Sequence, residues 1–168
     1  MTTSNALTLR KQLLNIDENT AHNVRLVAPI LRKNLDSMLD RLYRHLLSFP
    51  DAARLLPARS LGALKAKQAA HWWTMLDCDF DDAYVARAIR IGKLHFDHRV
   101  PPYLYLAAYN HMQSLLLACV VSESNLSRGE TAAVLSSISR IIMLDIDLAL
   151  AAYTRALWSG PSGSDVYL

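Results

Sequence analysis

Residues that break helices or cross-link a fold are scarce in this chain of 168 residues. It has 5 glycines, 6 prolines and 2 cysteines. The two cysteines, Cys78 and Cys119, are too few for a disulfide framework. The low glycine and proline content excludes collagen-like and loop-rich architectures. A chain of this length is about the size of one domain.

Several functional classes are disfavoured by what is missing. The net charge is only +3 and no block of lysine or arginine occurs, so nucleic-acid binding is not indicated. No run reaches the roughly 18 consecutive apolar residues of a membrane span, and we predict neither a span nor a signal peptide. With so few cysteines, the default expectation is a reducing, cytoplasmic compartment.

The apolar residues, which make up 52% of the chain, follow a helical period. Their spacing of three or four residues is that of a buried helical face. One such stripe consists of Leu35, Leu39, Leu42, Leu46 and Phe49, and another of Val134, Ile138, Ile141, Ile142, Asp145 and Leu148. No segment alternates as a strand would. The pattern therefore predicts an all-α chain.

Glycine and proline are bunched at breaks between long segments that suit helices, which are 30–49, 63–91, 103–128 and 130–159. Asp81 or Asp82 and Ser127 are candidate N-caps, and the pair Pro101 and Pro102 suits the first turn of a helix. A last helix over 128–158 would be about 45 Å long at 1.5 Å per residue. Part of it is therefore expected to pack against a partner subunit.

Motifs of common enzyme and metal chemistry are absent from the sequence. It contains no H-E-x-x-H, no Glu-x-x-His pair, no G-x-S-x-G and no Walker or dinucleotide-binding motif. The segment DCDFDD (77–82) begins like a calcium loop but has Asp82 at the position that needs glycine. We interpret it as an acidic turn that caps a helix.

Two of the six histidines, His95 and His98, lie in an informative context. His95 continues the apolar series of Val85, Ala88 and Ile91 just before the double proline, and His98 is rotated from it by about 60° on the helical wheel. Spacing does not choose between them, and periodicity alone favours packing or rim roles for both. An imidazole at the wall of an apolar pocket is also what a haem needs as an axial ligand.

Two segments resemble those of a known family. The segment RLYRHLLSFPDAARLL (41–56) is similar to its helix with a distal tyrosine. In segment 64–112, a tryptophan-containing helix leads to an Ile-Gly-x-x-His run and then to proline and aromatic residues. Both resemble the haem-binding globin domain of globin-coupled sensors, which are related to protoglobins. The resemblance covers about 25–158. It implies a globin-like helical sandwich with an N-terminal extension helix and two long last helices that form a dimer bundle.

The resemblance implies haem b (iron protoporphyrin IX) as cofactor and His95 as the proximal ligand of its iron. His98 stands where the family often has isoleucine. The walls of the haem pocket would come from a set of largely apolar side chains, namely Phe49, Val85, Ile89, Leu94, Val100, Tyr105 and Tyr109.

On the distal side, Tyr43 takes the place of the family's tyrosine, which donates a hydrogen bond to bound O2. The residues alone equally allow its hydroxyl to reach solvent. Leu64 and Lys67 correspond to the other distal positions, with Gln68 adjacent to them. Lys67 departs from the family pattern, which often has a hydroxyl residue there, and it would instead reach outward to a haem propionate while Gln68 takes the polar role.

The function that this resemblance implies is a gas sensor domain without enzymatic activity. It would bind O2, and also CO and NO, at ferrous haem and relay the ligand state through a homodimer interface. Residues 1–158 would form the sensor domain and 159–168 a linker toward a C-terminal output module, such as a diguanylate cyclase or histidine kinase. Two alternatives are a haem enzyme, for instance one that dioxygenates NO, and a haem-free globin-like dimerisation module.

Overall fold

The computed structural model describes residues 3–56 and 58–158, which form seven α-helices and one 3-10 turn. The helices are α1 (Thr3–Leu13), α2 (Glu18–Leu47), α3 (Pro50–Leu55), α4 (Leu61–Asp77), α5 (Asp82–Asp97), α6 (Pro102–Glu123) and α7 (Arg128–Trp158). The 3-10 turn, Ala58–Ser60, leads into α4. The predicted all-α class is confirmed. Residues 159–168, predicted to be a linker, lie outside the described part.

The core is built around the two longest helices. α2 packs against α4, α6 and α7, while α5 and α6 also pack against α7. Along the first predicted stripe, Leu35, Leu39 and Leu42 are buried, whereas Leu46 is half-buried and Phe49 is exposed. The apolar stripe is therefore buried along α2 but becomes exposed at the C-terminal end of that helix.

Most helix boundaries follow from local capping. The Asp81 side chain accepts a hydrogen bond from the Tyr84 amide at 2.7 Å and so begins α5. Ser127 and Glu130 bond reciprocally before α7, with the Ser127 amide donating to the Glu130 carboxylate at 2.9 Å. Pro101 immediately precedes α6. These predicted boundaries, including the 128–158 helix, are confirmed.

Two of the predicted segments have wrong boundaries. Segment 63–91 contains both the end of α4 at Asp77 and the start of α5 at Asp82, and α5 continues through Gly92. The helix expected over 30–49 in fact begins at Glu18 and continues through Pro29. A proline inside a helix removes one backbone hydrogen bond. The capping box at Asp17 and the burial of Val24 and Leu31 on either side of Pro29 compensate for that loss.

By length and composition, α6 is the one helix in the described ranges that could cross a membrane, which the count of consecutive apolar residues did not indicate. This is weak evidence, because core helices meet the same criterion. In the structure, Met112, Leu116 and Val120 of α6 are buried in the core.

The helix that carries His95 lies directly against α7. A Cβ built on Gly92 would be 2.1 Å from the carbonyl oxygen of Ala149, so only glycine fits there. Beyond the end of α5, the Tyr153 hydroxyl donates a hydrogen bond to the Val100 carbonyl at 3.1 Å. α7 therefore holds α5 in place along much of its length.

Candidate haem site

His95 lies in the last turn of α5 with its ring half-buried. Its Nδ1 is 2.8 Å from the carbonyl oxygen of Ile91, a distance at which a neutral imidazole donates from Nδ1. That bond leaves the lone pair of Nε2 free, and a histidine held this way is the usual form of a metal ligand. Burial lowers the pKa of His95 and the charge of His98 lowers it further, against the opposing effect of the Ile91 hydrogen bond. The neutral form is therefore favoured.

His98 has a different position. It is exposed and forms the C-cap of α5, where its amide donates to the Leu94 carbonyl at 3.0 Å. Only His95 of the two has its ring packed against another aromatic ring, that of Tyr105 on α6, within the residues that the structure describes. Sequence spacing did not distinguish His95 from His98 as a candidate iron ligand, and these contacts favour His95.

Two tyrosines of α6 form a wall beside His95. The rings of His95 and Tyr105 meet edge to face with centroids 5.0 Å apart, and those of Tyr105 and Tyr109 are 4.8 Å apart. The Tyr105 hydroxyl is buried and has no hydrogen-bond partner among residues 3–56 and 58–158. A buried hydroxyl without a partner, next to an imidazole with a free nitrogen, fits a site that receives a further group.

Tyr43, on α2, is the predicted distal residue. It is 4% exposed, so little of its ring or hydroxyl meets solvent. Burial raises the pKa of Tyr43 to about 12, and the hydroxyl therefore stays protonated as a donor. Lys65 of α4 lies over the Tyr43 ring at 5.9 Å and forms an ion pair with Asp40.

The remaining distal candidates lie on α4. Leu64 and Gln68 are half-buried, and Lys67 is exposed. The Gln68 side chain accepts a hydrogen bond from the Trp72 indole at 3.3 Å. Gln68 is therefore already held by its own helix, while Lys67 is free to extend outward.

The predicted pocket walls divide into two groups. Val85, Tyr105 and Tyr109 are buried in the core, and Val100 is half-buried. The others, Phe49, Ile89 and Leu94, are exposed. Exposed apolar side chains of this kind would gain stability from being covered by an apolar macrocycle. His95 and the unpartnered Tyr105 hydroxyl are of the kinds that a haem site requires.

A cluster around Asp145 of α7 was not predicted. Its carboxylate is 1% exposed and accepts hydrogen bonds from the hydroxyls of Tyr84 and Tyr109, each at 2.5 Å, and lies 2.9 Å from Nε2 of His71. Burial acts to raise the pKa of Asp145, but the hydrogen bond and charge of His71 and the two tyrosine bonds outweigh it and lower the pKa. The available signal was one carboxylate within an apolar stripe, which spacing alone did not explain.

A metal site made only of side chains is not found in the described residues: no three His, Cys, Asp or Glu side chains come together there in a way that could hold an ion. A haem would bring its own iron, and His95 would be the residue that holds it.

Comparisons with known proteins identify the family of the chain. The sequence profile of the Protoglobin family matches residues 3–159. The haem-based aerotactic transducer HemAT of Halobacterium salinarum is 28% identical over 126 residues, which are 74% of this chain and 26% of HemAT. The chain thus spans about a quarter of the length of that relative.

Solved structures show the same fold. The globin domain of the Geobacter sulfurreducens globin-coupled sensor superposes with a TM-score of 0.81 at 18% identity, covering 87% of this chain and 96% of that domain. The ferric globin domain of E. coli DosC gives a TM-score of 0.69 at 18% identity, covering 89% and 97%. The predicted globin-like sandwich is confirmed. The chain belongs to the protoglobin family, with the fold of the globin domains of globin-coupled sensors.

Proposed function

We propose that this chain is a haem-based gas sensor domain that holds haem b through His95 and binds O2. The observation that carries the proposal is the bond from His95 Nδ1 to the Ile91 carbonyl, which orients the ring and leaves Nε2 free beside Tyr105. The similarity to HemAT, a haem-based aerotactic transducer, supports the same function.

Haem, when bound, supplies an iron site for O2, CO or NO. His95 holds the cofactor from α5. The exposed side chains of Phe49, Ile89 and Leu94 would be shielded from solvent by the bound haem. Tyr43 keeps its proton, so its hydroxyl would be available as a hydrogen-bond donor to bound O2. Lys67 is free to meet a propionate.

The ligand state passes to other chains through a homodimer of α6 and α7, and onward to a C-terminal output module. Support comes from exposed apolar side chains on both helices, namely Tyr103, Leu106, Val121 and Met143. In this proposal the domain senses a gas, and any enzymatic activity belongs to the output module.

The proposal is tested by reconstituting the purified chain with haemin and recording the absorption of the reduced and CO-bound forms. We expect a Soret band that His95→Ala abolishes or shifts. His98→Ala is the matched control, because it removes the same side chain three residues away at an exposed position. Loss of the band in the His98 variant instead of the His95 variant would contradict the assignment.

The same sample separates the two other functions. A wild-type chain that takes up no haem would be a haem-free dimerisation module. Sustained consumption of NO by the reduced, O2-loaded protein would identify an enzyme.

A further inference from the structure

The carboxylate of Asp145 joins four helices at one buried point. It lies on α7 and is bonded to His71 of α4, Tyr84 of α5 and Tyr109 of α6. The rings of His71 and Tyr84 also stack, with centroids 6.0 Å apart. No other carboxylate in the described ranges is buried.

Each hydrogen-bond partner of Asp145 lies on a helix that contributes different residues to the proposed haem site. His71 is on the helix that carries Leu64 and Gln68. Tyr84 is on the helix that carries His95. The ring of Tyr109 packs on Tyr105, which in turn packs on His95.

Breaking the hydrogen bonds of this cluster would cost much free energy. A buried carboxylate is stable only while it is hydrogen-bonded, and each hydrogen bond to a charged group is a strong one. A relative shift of α4, α5 or α6 must therefore either carry Asp145 along or exchange one of its bonds. Such an all-or-none response is what a switch between two discrete arrangements requires.

We propose that Asp145 is the positioning residue through which changes at the haem site reach α7. This inference rests on the proposed function, since it assumes that haem binds at His95. Asp145 acts through its three partners and touches neither the cofactor nor the gas.

The test compares hydrogen exchange of α7 in the reduced, gas-free form and the CO-bound form of the haem-loaded full chain. We expect protection around 138–150 to differ between the two forms in the wild type. Asp145→Asn, which keeps the shape but removes the charge and one acceptor, should reduce that difference at least about twofold. The CO dissociation rate should change by less than about twofold, because the residue does not touch the gas.

Ser137→Ala is the matched control. Ser137 is also buried on α7 and accepts a hydrogen bond from Asn23 of α2 at 3.1 Å, away from the cluster. This variant should lower stability equally in both forms and keep the ligand-dependent difference. A role of Asp145 in folding alone would give the same pattern as the Ser137 variant.

If Asp145→Asn does not fold, Tyr84→Phe removes one donor to the Asp145 carboxylate and serves for the same test. A wild-type chain that shows a Soret band but no α7 difference, or variants that retain the full difference, would overturn this inference alone. A wild-type chain without a Soret band would overturn the proposed function and this inference with it.

Discussion

The residues of the candidate site differ from ordinary core residues in their hydrogen bonds, one of which is present and one of which is absent. His95 makes one bond to its own helix, which orients its ring. Tyr105 is a buried tyrosine whose hydroxyl finds no partner in the part of the chain that the structure describes. In a finished core such groups are rare, which is why this hydroxyl draws attention to the candidate site.

Tyr43→Phe tests the distal donor. O2 develops negative charge on its outer atom when it binds and CO does not, so only O2 gains from the hydroxyl. A hydrogen bond of this kind contributes about 1.5–3 kcal/mol, or roughly a ten- to hundredfold effect on the rate of release. We expect O2 dissociation to accelerate by that factor and CO dissociation to change less than about twofold. Stopped-flow and flash-photolysis kinetics measure both, and equal acceleration for both gases would contradict the role.

The acid dependence of stability tests the charge of Asp145. Its pKa in the folded chain is below the ordinary value of 3.8. The unfolded chain therefore takes up the proton first as pH falls, and the stabilisation is complete above pH 3.8 and lost on passing down through the folded pKa. We expect Asp145→Asn to lower the free energy of unfolding by about 1.5–3 kcal/mol at neutral pH.

In this variant, stability should also fall less steeply on acidification. Urea unfolding at a series of pH values between about 6 and 3 measures both effects. An unchanged acid slope in Asp145→Asn would show that other carboxylates account for it.

At the scale of the helix, α5 is the element whose placement matters most for the site. The Tyr84 bond to Asp145, the contact of Gly92 with Ala149 and the Tyr153 bond to Val100 all join α5 or the residues after it to α7. The position of His95 is therefore set by α7 as much as by its own helix.

Gly92→Ala tests this packing. The added Cβ would meet the backbone of α7, which cannot rotate away as a side chain could. Overpacking of this kind costs about 1–3 kcal/mol or more, and we expect a loss of that size in urea unfolding. Gly62→Ala is the control, since a Cβ there has no atom within 4 Å. That change should be neutral or stabilise α4 by up to about 1 kcal/mol.

Local signals predicted several elements well. Asp81, Ser127 and the double proline mark helix starts because their effects depend on neighbouring residues only. Pro29 was misleading for the same reason, because the burial that compensates for it comes from other helices. The Asp145 cluster could not be predicted, since its members are far apart in sequence and meet only after four helices have packed.

At the scale of the whole molecule, the resemblance correctly predicted the globin-like sandwich. It could not show which predicted wall residues are buried. Val85 faces the core while Ile89 and Leu94 are exposed, and this follows from how α5 lies on α7. Sequence spacing indicates a helical face but not the neighbour that the face meets.

Met143→Glu tests the proposed homodimer. Met143 on α7 is 50% exposed, and a charge there would be buried without a partner if two copies meet at this face. We expect a wild-type dimer and a monomeric variant by light scattering. Trp73→Glu is the control, because Trp73 is 48% exposed on α4, a helix that is not part of the proposed interface. A wild-type monomer, or dissociation by both variants, would contradict the interface.

The contact between Gly92 and Ala149 also affects how far a motion can travel. Most helix pairs are separated by side chains, whose rotation can absorb a displacement of a few tenths of an ångström. At Gly92 the backbone of α5 lies directly against the backbone of α7 at Ala149, with no side chain between them. A small displacement of His95 along α5 would therefore be transmitted to α7 with little loss.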